Sequence, residues 1–439
     1  MNRLKNTVFI VIVIMLFLPV LQNIFHPFKI KALHGAYIPA KSVPFTFHGF
    51  FTDTFQDPFN KYLEEHIGFH KLLVRLNNQI VYSLFRTARA SEVVVGKNNC
   101  LYEKSYIEAY LGRDFIGKDS LDEKVRKIKF IQDELKKKGI DMIIIFAPGK
   151  ATFFPEYIPD YFHPRRKSIS NYEYLLQSFK EKGINYIDFN NYFILMKDSA
   201  TYPLYPQCGI HWSAYGVAIA VDSIIHYIEH IKHLTMTDFG WNGFDVTNDL
   251  RTPDNDLSEG MNLLFDIHHY PMAYPKLYFK ENTATYKPNV ITMADSYYWN
   301  IFGTGIASRL FNANTFWYYF AQSYTPENVE GCDIKQVNVL NEIEKSDVII
   351  YLSTDATLRK FAFGFEDKVY DLLKKEADKK AISDSTQENR IYFIEQVIRN
   401  DSIWFQEIKR KARVKNISVE EMLRKDAMWL YEKEKNQKK

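Results

Sequence analysis

The sequence predicts an α/β fold built on a doubly wound parallel sheet, and three observations carry that reading. A helix-then-strand grammar occurs first at residues 120–146. Leu121, Val125, Ile128, Ile131 and Leu135 recur at helical spacing, Gly139 closes the helix, and 140–146 (IDMIIIF) comes next as an unbroken apolar run. The grammar then repeats, with Tyr172, Leu175, Leu176 and Phe179 on a helix stopped by Gly183 and a strand over 184–189. Continuous apolar strands are what a parallel sheet covered on both faces requires, and successive units imply right-handed crossovers. Finally, the polar segments of chemical interest fall just beyond strand ends, where open parallel sheets form their sites.

Taken in order, the chain opens with Arg3 and Lys5 and then runs apolar and uncharged from Val8 to Leu21, continuing through Ile24 and Phe25. That is about 18 residues, a spanning length. No small-x-small pattern comes after it, so residues 1–28 read as a cytoplasmic tip and an uncleaved signal anchor, with the downstream chain carried across the inner membrane. Residues 26–58 contain Pro27, Pro39, Pro44 and Pro58 with little periodicity, and the extended stalk is set at 29–57. A helix over 58–85, broken near Gly68, starts the folded part. Ser120-x-x-Glu123 has the form of a capping box for the next helix. Further strands are expected at 290–294 and 347–352, with a helix from Ser213 to about His230 between the two strand pairs. The α/β domain is set at 58–380. Residues 381–439 form a helical appendage, where Ser418-x-x-Glu421 is a second capping box and Trp404, Ile408, Met422 and Leu423 supply apolar stripes.

Composition excludes several classes of function. Fifty-six Lys+Arg against 53 Asp+Glu leave a formal net charge of +3, which gives no basic stripe for nucleic acid. Three cysteines, Cys100, Cys208 and Cys332, show neither CxxC nor Cys/His ligand spacing, so no zinc site or disulfide scaffold is indicated and at most one bridge can form. Neither metal nor other cofactor is called for. The aromatic content of 16% reads first as core.

Three segments carry chemistry. Phe146-Ala147-Pro148-Gly149-Lys150 is a strand end turning sharply. Gly209-Ile210-His211-Trp212-Ser213 sets a His before a helix that Ser213 can cap. Thr292-Met293-Ala294-Asp295-Ser296 is a strand delivering a Ser into a turn. A Ser at such a turn presents its hydroxyl while nearby backbone N–H groups face a developing oxyanion, and a His can take and return the proton. Together the segments describe acyl transfer.

The combination resembles the alginate O-acetyltransferase AlgX/AlgJ-like family, over about residues 50–370. The matching motifs are Gly96-Lys97-Asn98-Asn99-Cys100-Leu101-Tyr102, Ala147–Lys150 with Phe154-Pro155-Glu156-Tyr157-Ile158-Pro159, His211-Trp212-Ser213 with Gly216, and Ala294-Asp295-Ser296. The His-Trp-Ser element with its Gly is the most specific of these. The resemblance implies a permuted SGNH-hydrolase (GDSL) fold, with Ser296 as nucleophile and His211 as base. It also implies an extracytoplasmic, membrane-tethered enzyme that transfers or removes O-acetyl groups on an extracellular or cell-envelope polysaccharide. By the same resemblance, a membrane-bound O-acyltransferase partner would supply the acetyl group.

Two departures bear on this. The family commonly has Asp two residues before the His, where this chain has Gly209, and Ala294 stands where a GDS motif has Gly. The imidazole is then oriented by a backbone carbonyl, by a carboxylate from elsewhere, or not at all. Asp256, in the acidic stretch between His211 and Ser296, is the preferred substitute. For the oxyanion, the backbone N–H of Tyr297 is the first donor considered, with Asn300, Arg309 and Lys150 as side-chain donors or substrate ligands. Tyr297, Tyr298, Trp299, Trp317, Tyr318 and Tyr319 are candidates for a sugar platform. The alternative function is a non-catalytic polysaccharide-binding or scaffold subunit of an export complex, and Gly209 is what favours it.

Overall fold

The computed structural model of the protein describes residues 2–35, 39–280 and 285–437, so positions 36–38 of the expected stalk lie outside the described residues. The chain divides into two compact units, Met1–Phe365 and Glu366–Lys439.

In the first unit the described residues form a seven-stranded sheet. Its strands are β1 (Asp141–Ala147), β2 (Tyr186–Asp188), β3 (Val290–Ala294), β4 (Asn314–Tyr318), β5 (Gln322–Thr325), β6 (Asn328–Asp333) and β7 (Val348–Thr354), in the spatial order β6-β5-β4-β3-β7-β1-β2. The run β4-β3-β7-β1-β2 is parallel throughout. This is the expected doubly wound parallel sheet, extended at one edge where β5 and β6 add antiparallel. The reason is connection length. Residues 319–321 and 326–327 are too short for a crossover, so each can only close a hairpin. β1, β3 and β7 are buried at every residue, as strands covered on both faces must be.

The helices follow the apolar spacing with two differences at their starts. Helix α1 is Asn2–Phe25, α2 Gln56–His66, α3 His70–Phe85, α4 Lys118–Lys137, α5 Asn171–Lys182 and α6 Ala214–Lys232. α4 begins after Gly117, so Ser120 lies inside its first turn and caps nothing. A reciprocal capping box forms instead at Ser170 and Glu173, which start α5, and Gly183 ends that helix with φ +64°. Two separate hairpins complete the unit, Val93–Val95 with Leu101–Glu103 and Asp238–Thr247 with Met272–Lys280.

α1 is long and apolar enough to cross a membrane, and nearly all of its side chains are exposed. The expected extended stalk needs correcting: its described residues carry no helix or strand up to Thr46, then form a short helix, Phe47–Phe51, and they lie along the folded unit. His34 N–H donates to Asn262 Oδ1 at 2.8 Å, Arg75 Nη2 donates to Ala32 O at 2.7 Å, and Ala40 N–H donates to Glu65. The second unit carries its own small core, made by Ile391, Ile394 and Ile398 with Ile408, Met422 and Leu423. There Ser418 Oγ accepts the Glu421 N–H at 3.0 Å.

Candidate active site

Ladder register brings the ends of β1, β7 and β3 level, since Thr354 pairs with Ala147 and Leu352 with Ala294. The loops after those strands therefore share one edge of the sheet, at the point where chain order reverses. Ser296 starts a short 3₁₀ turn directly after β3 and is half-buried. Its neighbour Asp295 is 1% exposed and works as a brace. One oxygen accepts the Tyr297 N–H at 3.1 Å, and the other accepts Thr354 N–H and Oγ1 at 2.8 Å each and Thr357 Oγ1 at 2.7 Å. The turn bearing Ser296 is thus tied to the end of β7.

His211 precedes α6, whose N-cap is Ser213. That hydroxyl accepts from Gly216 N–H at 3.0 Å and donates to Pro203 O at 2.8 Å. Nε2 of His211 lies 3.1 Å from Ser296 Oγ, and Nδ1 lies 2.8 Å from Asp256 Oδ2. The second oxygen of Asp256 accepts the Ile210 N–H at 2.9 Å. An ionised carboxylate only accepts, so the partner on Nδ1 places the proton there and leaves Nε2 to accept from the serine. His211 and Ser296 are 85 positions apart, and Asp256 comes from yet another segment, the connection inside the hairpin Asp238–Thr247/Met272–Lys280.

Gly209 explains how that connection reaches the histidine. A Cβ there would fall 2.5 Å from Pro253 O and 2.8 Å from Asp254 O, so only a residue without a side chain lets the 253–256 backbone lie against this loop. Ser258 N–H then donates to Cys208 O at 3.0 Å, pinning the turn that carries Asp256. The side chain of Asp254 is buried beneath, and its Oδ2 has no hydrogen-bond partner among the described residues. Burial raises its pKa to about 7; Asp256 pushes the same way, and Tyr274, His211 and Lys150 oppose.

The remaining expected site residues are placed differently. Lys150 is wholly enclosed, and its ammonium donates to Gln207 O at 2.9 Å and Gly209 O at 2.5 Å. It holds the loop before His211 and does not face an open cleft as an oxyanion or substrate ligand would, and burial lowers its pKa. The Tyr297 N–H is engaged by Asp295 and is not free for an oxyanion. The Tyr297 ring is buried, with its hydroxyl on Ile210 O at 2.6 Å and its ring 4.9 Å from that of His211. Asn300 lies on the short helix Trp299–Phe302, and Arg309 is exposed on the helix Ile306–Leu310 with its guanidinium over Phe279. Of the aromatic set, Tyr297, Tyr298 and Trp317 are core, whereas Trp299, Tyr318 and Tyr319 are half-buried.

Sequence reasoning missed the brace at Asp295 and the contact of the Tyr319 hydroxyl with Ser296. Tyr319 sits at φ +50°, its N–H bonded to Ala294 O at 2.9 Å. Its only sequence signal was its place at the end of a strand neighbouring the serine strand. Among the described residues, no group of His, Cys, Asp and Glu is suited to hold a metal ion, and all three cysteines are free thiols. Chemically, the arrangement can deprotonate an alcohol at Ser296, with the imidazolium so formed held by Asp256.

Residues 93–242 match the family model of the SGNH hydrolase-like domain of acetyltransferase AlgX. No curated protein matches the chain. Among solved structures, the chain is similar to the O-acetyltransferase domain of Pseudomonas putida AlgJ, at 15% identity and TM-score 0.40, covering 65% of this chain and 99% of that one. It is also similar to Pseudomonas aeruginosa AlgX, at 12% identity and TM-score 0.42, covering 64% and 67%. Bacillus cereus PatB1 is similar at 12% identity and TM-score 0.34, covering 55% and 90%. The match over 93–242 makes that part of the chain similar to the SGNH hydrolase-like domain of acetyltransferase AlgX.

Proposed function

We propose that this protein is a membrane-anchored O-acetyltransferase, or acetylesterase, acting on an extracellular or cell-envelope polysaccharide. The observation that carries the reading is the unbroken chain from Ser296 Oγ through His211 to Asp256, with separations of 3.1 and 2.8 Å. Ser296 Oγ attacks the carbonyl carbon of an acetyl donor while His211 Nε2 takes its proton. Collapse of the tetrahedral intermediate breaks the bond to the donor's leaving group, which departs with the proton from Nε2. A sugar hydroxyl, or water in the esterase case, then attacks the acetyl-serine as Nε2 again takes and returns a proton.

The polysaccharide acceptor and the membrane-bound O-acyltransferase donor both rest on the family resemblance. The anchor reading rests on α1, and it puts the catalytic unit on the extracytoplasmic side of the inner membrane. The scaffold alternative drew its support from Gly209. That support lapses once Asp256 accepts from Nδ1, because the histidine does not lack an orienting acid. The test is acetate release from an activated acetyl ester by the full chain in detergent. Ser296→Ala and His211→Ala should each lower kcat/KM at least about a thousandfold. Activity that survives both substitutions rejects the mechanism.

A further inference from the structure

Helix α3 is amphipathic in the reverse sense to a surface helix. One side is polar and bonded to the folded unit. Arg75 Nη1 donates to Leu263 O at 3.1 Å, Asn78 Nδ2 to Met261 O at 2.9 Å, and Tyr82 Oη to Asn99 Oδ1 at 3.2 Å, while Gln79 Oε1 accepts the Phe265 N–H at 3.2 Å. The other side carries Leu72, Leu73, Leu76, Ile80 and Leu84 at helical spacing, all exposed, Leu84 by 70%. Leu63 of α2 and Phe47 and Phe51 just before it are exposed as well. A surface helix ordinarily turns such a stripe inward, and a contiguous exposed one marks an interaction surface.

The seat of this helix pair indicates what covers the stripe. Gly68, in the turn between α2 and α3, is packed so closely on α1 that no Cβ fits against the Pro19 carbonyl, and one would lie 2.9 Å from Gln22 Cβ. Gln22 holds the chain as it leaves α1, donating from Nε2 to Phe28 O at 2.8 Å and accepting the Phe28 N–H at 3.2 Å. The Phe28 ring in turn lies 6.0 Å from that of Phe69. A helix rises about 1.5 Å per residue, so Pro19 lies about 9 Å back from the outer end of α1 at Phe25. With α1 across a bilayer, the turn at Gly68 lies below the level of that end, and the stripe of α3 starts beside it.

We infer that α2 and α3 form a platform in the outer interfacial layer of the membrane, with the leucine stripe among the acyl chains and Lys61 and Lys71 at the headgroups. The inference rests on the anchor reading, and the experiment separates the two. The full chain with Cys332→Ser is given a single environment-sensitive label through Leu76→Cys, Leu84→Cys, Ile12→Cys or Val329→Cys. Each variant is checked by circular dichroism and reconstituted in phosphatidylethanolamine/phosphatidylglycerol vesicles.

Lipids with a doxyl group near the headgroup should quench the labels at 76 and 84 several-fold more than the label at 329, and aqueous iodide should show the opposite order. Such labels should report a depth of about 5–10 Å. Mid-chain doxyl lipids should quench best at position 12. Quenching at 12 with free iodide access at 76 and 84 overturns the platform and leaves the anchor standing. No lipid quenching at 12 removes the anchor. Shielding of 76 and 84 from iodide without lipid quenching, seen only in native membranes, assigns the stripe to a protein partner and also overturns the inference.

Discussion

At the scale of single residues, the candidate site depends on a pairing of a glycine with a distant acid. Asp256 reaches His211 only because Gly209 leaves room for the 253–256 backbone. Asp256→Asn keeps the packing but removes the charge that steadies the imidazolium, and kcat should fall by about 10²- to 10⁴-fold in the ester assay. Gly209→Asp, which restores the commoner family pattern, should also lower activity. Its Cβ would displace the segment that supplies the acid, with a loss of about 1–3 kcal/mol of stability by chemical denaturation.

Asp254 makes a separate prediction. Its pKa in the folded protein, about 7, lies above the ordinary carboxylate value, so between about pH 4 and pH 7 the folded state binds more protons than the unfolded one. Stability should therefore fall as pH rises through that window, and Asp254→Asn should flatten the profile of melting temperature against pH. Ser296 and His211 were legible because each sits where strand and helix signals place a turn. Asp256 could be named only as an acid in the right stretch. The clamp at Lys150 was not legible, since a lysine in a loop is ordinarily solvated and only the fold reveals two carbonyls enclosing it.

At the scale of elements, β1, β3 and β7 could be read from continuous apolar runs, and α5 and α6 from spacing and stop signals. β5 and β6 could not. Their sequences, Gln322–Thr325 and Asn328–Asp333, are short, polar and mostly half-exposed or exposed, so neither periodicity nor hydrophobicity marks them. The hairpin that delivers Asp256 escaped for the same reason, its burial alternating irregularly around a break in register. Ser213 links element to site, because it caps α6 two residues after His211 while also donating to Pro203 O. Ser213→Ala should cost about 1–2 kcal/mol in thermal or denaturant unfolding, with a drop in kcat as the loop loosens.

At the scale of the molecule, an apolar α1 and the folded α/β part belong to one compact unit ending at Phe365. A chain held by α1 should stay in the pellet through an alkaline carbonate wash of membranes and enter solution only with detergent; release by the wash alone would exclude a spanning helix. The proline-marked segment after α1 predicts an extended stalk. Instead of standing free, it is strapped down by Asn262, Arg75 and Glu65, and the turn at Gly68 rests on α1 itself. On the proposed reading, an enzyme mounted in this way would work at one fixed height. Lengthening residues 41–45 by a flexible insert would not extend its reach, so the polymer and the acetyl donor would have to be brought to the level of Ser296.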